Sequence, residues 1–172
     1  ARAQRGLDVS GLAGVISVDP VARTADVQGM CTYETLVDVT LAYGLMPLVV
    51  PQLRTITLGG AVTGLGIEAT SFRNGLPHES VLEMDVLTPD GELLTATPDG
   101  EHADLFSAFP NSYGTLGYAM RLVVGLMPVG PYVRVEHHRH PDATSAADEI
   151  VALADDPRVG FLDGTVFSPD EQ

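Results

Sequence analysis

The chain has 172 residues, 45% of them hydrophobic, with 18 glycines and 12 prolines, which describes a loop-rich globular domain, or one domain and part of a second, and excludes a disordered segment. Acidic residues outnumber basic ones 23 to 9, and the formal charge of −14 argues against a nucleic-acid groove or an anionic membrane surface as partner. The single cysteine, Cys31, excludes an intrachain disulfide framework, and the longest apolar run, residues 41–51, is broken by Gly44, Pro47 and Pro51, far short of the ~20 residues that span a bilayer.

Every basic residue is Arg, so an anionic ligand would have to be held by backbone dipoles and a few guanidinium groups against the overall field. Ala1 is not a start methionine and residues 2–7 carry no signal-peptide pattern, which reads as an internal piece of a larger protein. Together with the lone cysteine, this sets the expectation of a cytoplasmic location.

Residues 14–18 and 24–28 alternate apolar and polar positions around Asp19-Pro-Val-Ala-Arg23, which predicts a hairpin with a proline-initiated turn. Thr32 is a good N-cap for a short amphipathic helix through Leu36, Val37 and Leu41 that Gly44 stops. A proline-bounded apolar run, residues 45–51, then leads into Thr55-Ile-Thr-Leu-Gly-Gly-Ala-Val-Thr-Gly-Leu-Gly-Ile67, with glycines at 59, 60, 64 and 66. Glycine there costs conformational entropy and adds no core side chain. The usual compensation is close approach of bare backbone N–H groups to an anion such as a pyrophosphate; the bland alternative is a set of tight turns. The spacing is not the G-x-G-x-x-G of a dinucleotide-binding βαβ unit, and no Gly-Lys-Ser/Thr exists for a P-loop.

Residues 80–88 alternate at period two, Pro89-Asp-Gly91 is a strong turn signal, and residues 92–97 return as the partner strand. Asp99 or Gly100 opens a short helix through Phe106 that ends before Pro110. Gly114 to Gly117 form a second glycine-bearing turn, running into a strand over residues 118–127 with Met120, Leu122, Val124 and Leu126 on one face. Pro128, Gly130 and Pro131 mark a boundary. Beyond it the pattern predicts a strand (132–138), an Ala-rich helix (142–153, capped by Asp142 or Thr144) and a last strand (160–166). The order of elements is α+β, without the regular strand–helix alternation of a doubly wound sheet.

Four separated motifs now share one pattern: Pro51-x-x-x-Thr-Ile-Thr-Leu-Gly-Gly60 with Gly64-x-Gly66, Asp85-Val-Leu-Thr-Pro-Asp-Gly91, Asp104-Leu-Phe106, and Gly114-Thr-Leu-Gly117. In order and interval, from about Val15 to Pro128, they resemble the FAD-binding domain of the vanillyl-alcohol oxidase and p-cresol methylhydroxylase (PCMH-type) class. Residues 66–75 and 109–117 look most like its Δ24-sterol reductase branch. The resemblance implies a mixed or antiparallel sheet with flanking helices over residues 1–130 and the beginning of a substrate (cap) domain over residues 131–172.

It further implies FAD as cofactor, with Thr57, Leu58, Gly59 and Gly60 along the pyrophosphate. Gly64, Leu65, Gly66 and Ile67 would approach the ribityl chain and flavin, Gln52 would lie near the flavin, and Gly117 and Ala119 on the adenine side. The class has an earlier phosphate loop, and none precedes Leu12. Its covalent members attach flavin through a His or Cys, neither of which stands at a matching position, so the flavin is expected to be non-covalent. The implied activity is hydride transfer between flavin N5 and a carbon of a small apolar or alcohol-bearing, sterol-like substrate. The alternative is a non-catalytic relative that keeps the fold without FAD.

Several single residues admit two readings. Glu68 either tunes the flavin or takes a proton as a candidate catalytic group, or it is a carboxylate accepting backbone N–H bonds from the next turn. Arg73 either offsets phosphate charge or pairs with Glu79 or solvent. His137-His-Arg-His140 lacks a third ligand on the face of His138 and His140, so no metal is expected. His78 reads as a loop histidine, Tyr113 and Tyr118 as pocket or packing residues, and Asp155, Asp156 and Asp163 as a solvated face.

Overall fold

The computed structural model describes residues 7–168. The chain's opening, residues 1–6, and the last four residues of the expected second domain lie outside the described residues. The first hairpin joins β1 (Val15–Asp19) to β2 (Thr24–Gln28), with Asp19 facing Thr24 across the turn. Asp19 Oδ1 accepts the N–H groups of Val21 and Ala22, at 2.8 and 2.9 Å, which fixes that turn. Helix α1 (Tyr33–Leu41) starts at Thr32, whose hydroxyl accepts the Thr35 N–H, and Gly44 at φ +68 reverses the chain after it. The short β3 (Leu45–Pro47) follows.

The first half of the glycine-rich stretch, with Gly59 and Gly60, is a helix, α2 (Leu58–Thr63), while Gly64 and Gly66 follow it in irregular backbone; a single turn, α3 (Ser71–Asn74), comes next. Strands β4 (Val81–Leu87) and β5 (Leu93–Ala96) form the second hairpin around Gly91, which stands at φ +90. Helix α4 (Ala103–Ala108) begins later than the sequence predicts, after a turn in which Gly100 N–H meets the Thr97 carbonyl. The eleven-residue β6 (Tyr118–Pro128) and helix α5 (Ala143–Ala154) complete the set.

All pairings are antiparallel, in the order β1-β2-β6-β4-β5, with β3 on the far end of β6. β6 is long enough to pair with three strands and is the spine of the sheet. The period-two pattern puts Ala25, Val27, Leu122, Val124, Met84 and Val86 into the core, where Tyr33 and Leu36 of α1 and Leu58 and Val62 of α2 cover them. Helices thus flank one face of an antiparallel sheet, the α+β arrangement expected.

The opposite face carries a charge cluster. Arg121 of β6 meets Asp26 of β2 through two parallel bonds, at 2.7 and 2.8 Å. It also meets Glu83 at 2.7 Å and Asp85 at 3.4 Å, both on β4. Hydrogen bonding to Asp26 and Glu83 pushes the Arg121 pKa further up. One cation therefore separates three carboxylates on adjacent strands. Arg121→Met leaves those like charges facing each other, and we expect a loss of about 1–2 kcal/mol. Added salt should restore part of it, because it screens the repulsion. Urea unfolding at low and high salt checks both.

Residues 132–138 and 160–166 form no strand, against expectation. Among the described residues neither has a strand alongside, and alternation without a ladder partner makes no sheet. The stretch after α5 is fastened instead by hydrogen bonds from a side chain and from the backbone. The Arg73 guanidinium donates to the carbonyls of Ala154, Asp156 and Val159, at 3.4, 3.0 and 3.2 Å, satisfying acceptors at and after the C-terminal end of α5. Arg73 forms no ion pair with Glu79 among the described residues; Glu79 instead accepts the Leu76 N–H at 2.7 Å. Leu162 N–H meets the Ala69 carbonyl at 2.8 Å. Asp142 caps α5 through the Ser145 N–H.

Candidate functional site

Thr57 has extended backbone and bridges Thr32, and its hydroxyl accepts the Gly60 N–H at 3.2 Å, so it starts α2 as an N-cap. Leu58 N–H meets the Cys31 carbonyl and Gly59 N–H the Gly29 carbonyl, both at 2.8 Å. The amides of Gly59 and Gly60, expected to be bare, are therefore taken by the protein itself. A Cβ on Gly59 would lie 2.8 Å from the Gly29 carbonyl oxygen and 3.4 Å from the Ala119 Cβ. Gly59 lets α2 settle against the ends of β2 and β6, and that packing brings the predicted residues Gly59 and Ala119 together. Gly29 has the same role from the other side and was not singled out in the sequence. Its only signal there is a glycine directly after an alternating strand.

Past α2 the chain changes character. Gly64 N–H still bonds back to the Gly60 carbonyl, but the N–H groups of Leu65, Gly66 and Ile67 meet no acceptor among the described residues. Leu65 is 58% exposed and Ile67 82% exposed, so an apolar strip with three unclaimed donors faces outward. Gly66 is the telling position. A Cβ there would approach nothing closer than Glu68 Oε1 at 3.5 Å, and its φ is not positive, so the fold does not require glycine.

Glu68 ends this strip. Its Oε2 accepts the Gln52 N–H at 3.2 Å, and its own N–H goes to the Ser71 hydroxyl at 2.9 Å. The carboxylate accepts a backbone donor, as one of its two readings has it, but from Gln52 rather than from the next turn. Behind it lies Tyr33, whose buried hydroxyl has no hydrogen-bond partner and whose pKa is pushed up by burial and by the Glu68 charge. The Gln52 side chain donates to Asp163 at 2.7 Å, so Asp163 is a contact across the chain and not a purely solvated residue.

The second glycine turn closes the other end. Asn111 and Tyr113 have φ of +58 and +50, uncommon for residues with a Cβ, and Tyr113 N–H bonds the Thr63 carbonyl at the end of α2. Between them the Ser112 hydroxyl oxygen is buried and without a partner. Gly117, at φ +136, has no room for a side chain, since a Cβ would sit 2.3 Å from the Leu87 carbonyl oxygen. With Gly114, Tyr118 and the Pro89–Gly91 turn it lines a surface pocket of about 370 Å³.

Three segments therefore converge on α2: Gly29 to Cys31, the strip 64–68 with Gln52, and the loop 111–119. His137-His-Arg-His140 does not join them. His138 Nδ1 meets Glu149 at 2.5 Å and His140 Nε2 the same carboxylate at 3.0 Å, and Glu149 with Glu136 pushes the His138 pKa up. No group of metal-binding residues is found among the described residues. His78 has a buried, unpartnered Nδ1. Cys31 is fully buried, and burial pushes its thiol pKa up to about 11, so it holds its proton. Among the described residues no helix is long and apolar enough to cross a membrane.

The arrangement fits a long, flat, anion-bearing cofactor on three counts. It offers free backbone donors, an opening at Gly66 that packing does not demand, and an orphaned polar atom at Ser112. Comparison with known proteins points the same way. The family described as "FAD binding domain" matches residues 4–97, more than half of the chain. Δ24-sterol reductase of Pisum sativum is 32% identical over 166 residues, 95% of this chain and 29% of that protein. The Homo sapiens Δ24-sterol reductase is 26% identical over 160 residues, covering 93% and 31%. Cytokinin dehydrogenase 7 of Oryza sativa subsp. japonica is 32% identical over 130 residues, covering 75% and 25%. The chain thus spans under a third of the length of these relatives. The crystal structure of 6-hydroxy-D-nicotine oxidase from Arthrobacter nicotinovorans has the same fold, at TM-score 0.62 and 19% identity over 68% of this chain and 25% of that one.

Proposed function

The chain belongs to the FAD binding domain family, and from that premise we propose that it is the cofactor-holding part of an FAD-dependent oxidoreductase acting on a small apolar or alcohol-bearing, sterol-like molecule. Bound there, FAD supplies the redox chemistry, a hydride exchange between its N5 and a substrate carbon. The chain's own residues do the placing. Leu65, Gly66 and Ile67 offer N–H donors and an apolar strip, with Gly64 leaving the backbone bare beside them. Thr57, Leu58, Gly59 and Gly60 form the rigid wall behind, contributing shape where their amides are already used. Gly117 and Ala119 line the adenine side, and Gln52 holds Glu68, whose charge sits at the flavin end of the strip.

The same proposal assigns residues 1–130 to the FAD-binding unit, residues 131–172 to the start of a substrate-side unit, and the protein to the cytoplasm. One observation carries the cofactor reading: the unclaimed donors at 65–67 beside a glycine that packing does not need. The second reading, a relative that keeps the fold without FAD, draws on the internal hydrogen bonds of Gly59 and Gly60, which explain those two glycines by packing alone. It leaves Gly66 without a reason.

Attachment is proposed to be non-covalent, because no His or Cys stands at a position matching the attachment residues of the class and the one thiol is buried and protonated. Acid precipitation of the flavin-loaded protein should therefore release all of the yellow colour into the supernatant. Flavin retained in the washed pellet would contradict this.

A further inference from the structure

We propose that the surface cavity between residues 67–69 and 162–164 binds a small apolar molecule through a hydrogen-bond-donating head, an alcohol or an amine, and turns away acids. The cavity has a volume of about 200 Å³. Ile67, Ala69, Ile150 and Leu162 give it apolar walls, and Gln52, Glu68 and Asp163 are its polar side chains. Gln52 donates its backbone N–H to Glu68 and one of the two hydrogens of its Nε2 to Asp163. What these side chains still offer is mostly acceptors: Glu68 Oε1 and the Gln52 side-chain oxygen receive no donor from the described residues, against one remaining Nε2 hydrogen.

No Arg or His forms an ion pair with either carboxylate among the described residues: Arg73 donates to the carbonyls of Ala154, Asp156 and Val159, and Arg158 pairs with Asp156. The wall therefore carries two uncompensated negative charges, in a chain already at −14. A ligand head facing these two carboxylates is favoured if it donates hydrogen bonds, and an anionic head meets repulsion. As a substrate site this cavity rests on the flavin reading above, since Ile67 and Glu68 belong to both; as a binding site it stands without FAD.

The test is amide NMR of the isotope-labelled full chain at neutral pH, titrated separately with cyclohexylmethanol, cyclohexylmethylamine and cyclohexanecarboxylate. The expected result is saturable shifts at Ile67, Ala69, Leu162 and Gly164 for the alcohol, the amine or both, with a Kd at least about tenfold below that for the acid. Which of the two binds identifies the head. Glu68→Gln with Asp163→Asn should erase most of that preference; if the double variant loses its dispersed spectrum, Asp163→Asn alone is read the same way and should reduce it. Equal binding of the acid, shifts confined to other residues, no shifts, or an unchanged preference in the variants would overturn the proposal. A parallel FAD titration keeps the two readings apart: a chain that takes FAD but none of the probes loses only this inference, and the reverse result loses only the flavin reading.

Discussion

Gly29→Ala is expected to destabilise the fold by about 3 kcal/mol or more, a large share of the ~5–15 kcal/mol that holds an ordinary domain together. The added Cβ would sit 1.8 Å from the Ala119 carbonyl oxygen and 2.8 Å from its carbon. Neither atom can rotate away, because Gly29 N–H is bonded to the Met120 carbonyl at 2.9 Å and β6 is held on both sides. Relief requires prising β2 from the centre of the sheet, which goes beyond ordinary overpacking at about 1–3 kcal/mol. Gly11→Ala is the control, with no atom within 4 Å of its Cβ and no positive φ. It should be silent within ~0.5 kcal/mol. Urea unfolding of both variants measures the difference, and a Gly29→Ala midpoint equal to the wild-type value would contradict the packing described.

Gly66→Val is expected to weaken FAD binding by at least about tenfold while moving Tm by no more than ~2 °C. The fold tolerates a Cβ there, with its nearest neighbours at 3.5 and 3.9 Å. What the side chain fills is the outward face over the unclaimed donors of residues 65–67. Position 59 cannot make this distinction. Gly59→Val meets the Gly29 carbonyl oxygen at 2.8 Å, so it would damage packing and cofactor binding together. Flavin-fluorescence quenching gives the affinity and a thermal melt gives the stability. Unchanged affinity in Gly66→Val would remove the strip from the site.

Much of the fold was legible because its signals are local. Asp19-Pro20 and Pro89-Asp-Gly91 gave both hairpins, Thr32 and Gly44 bounded α1, and the alternation at 122, 124 and 126 gave the buried face of β6. Helix α2 was not legible, since two of its six residues are glycines and two more glycines follow directly, a composition that disfavours helix. It exists because Thr57 caps it and because Gly59 meets Gly29, a residue 30 positions away. Residues 132–138 and 160–166 show the opposite failure, with a strand pattern present and its ladder partner absent among the described residues. In the site, residues 64–67 read in the sequence as a stretch that approaches a ligand, and in the structure the N–H groups of residues 65–67 meet no acceptor among the described residues. The spent amides of Gly59 and Gly60, the bond from Gln52 to Asp163 and the grip of Arg73 on the end of α5 depend on contacts across the chain that no local pattern encodes.

The most direct test of the central claim is an FAD titration of the isotope-labelled full chain, followed residue by residue in its amide NMR spectrum. Saturable one-to-one binding with the largest shifts at Leu65, Gly66 and Ile67, and smaller ones at Gly117 and Ala119, is the result expected. Absence of binding, or shifts that leave residues 65–67 unmoved, would contradict it.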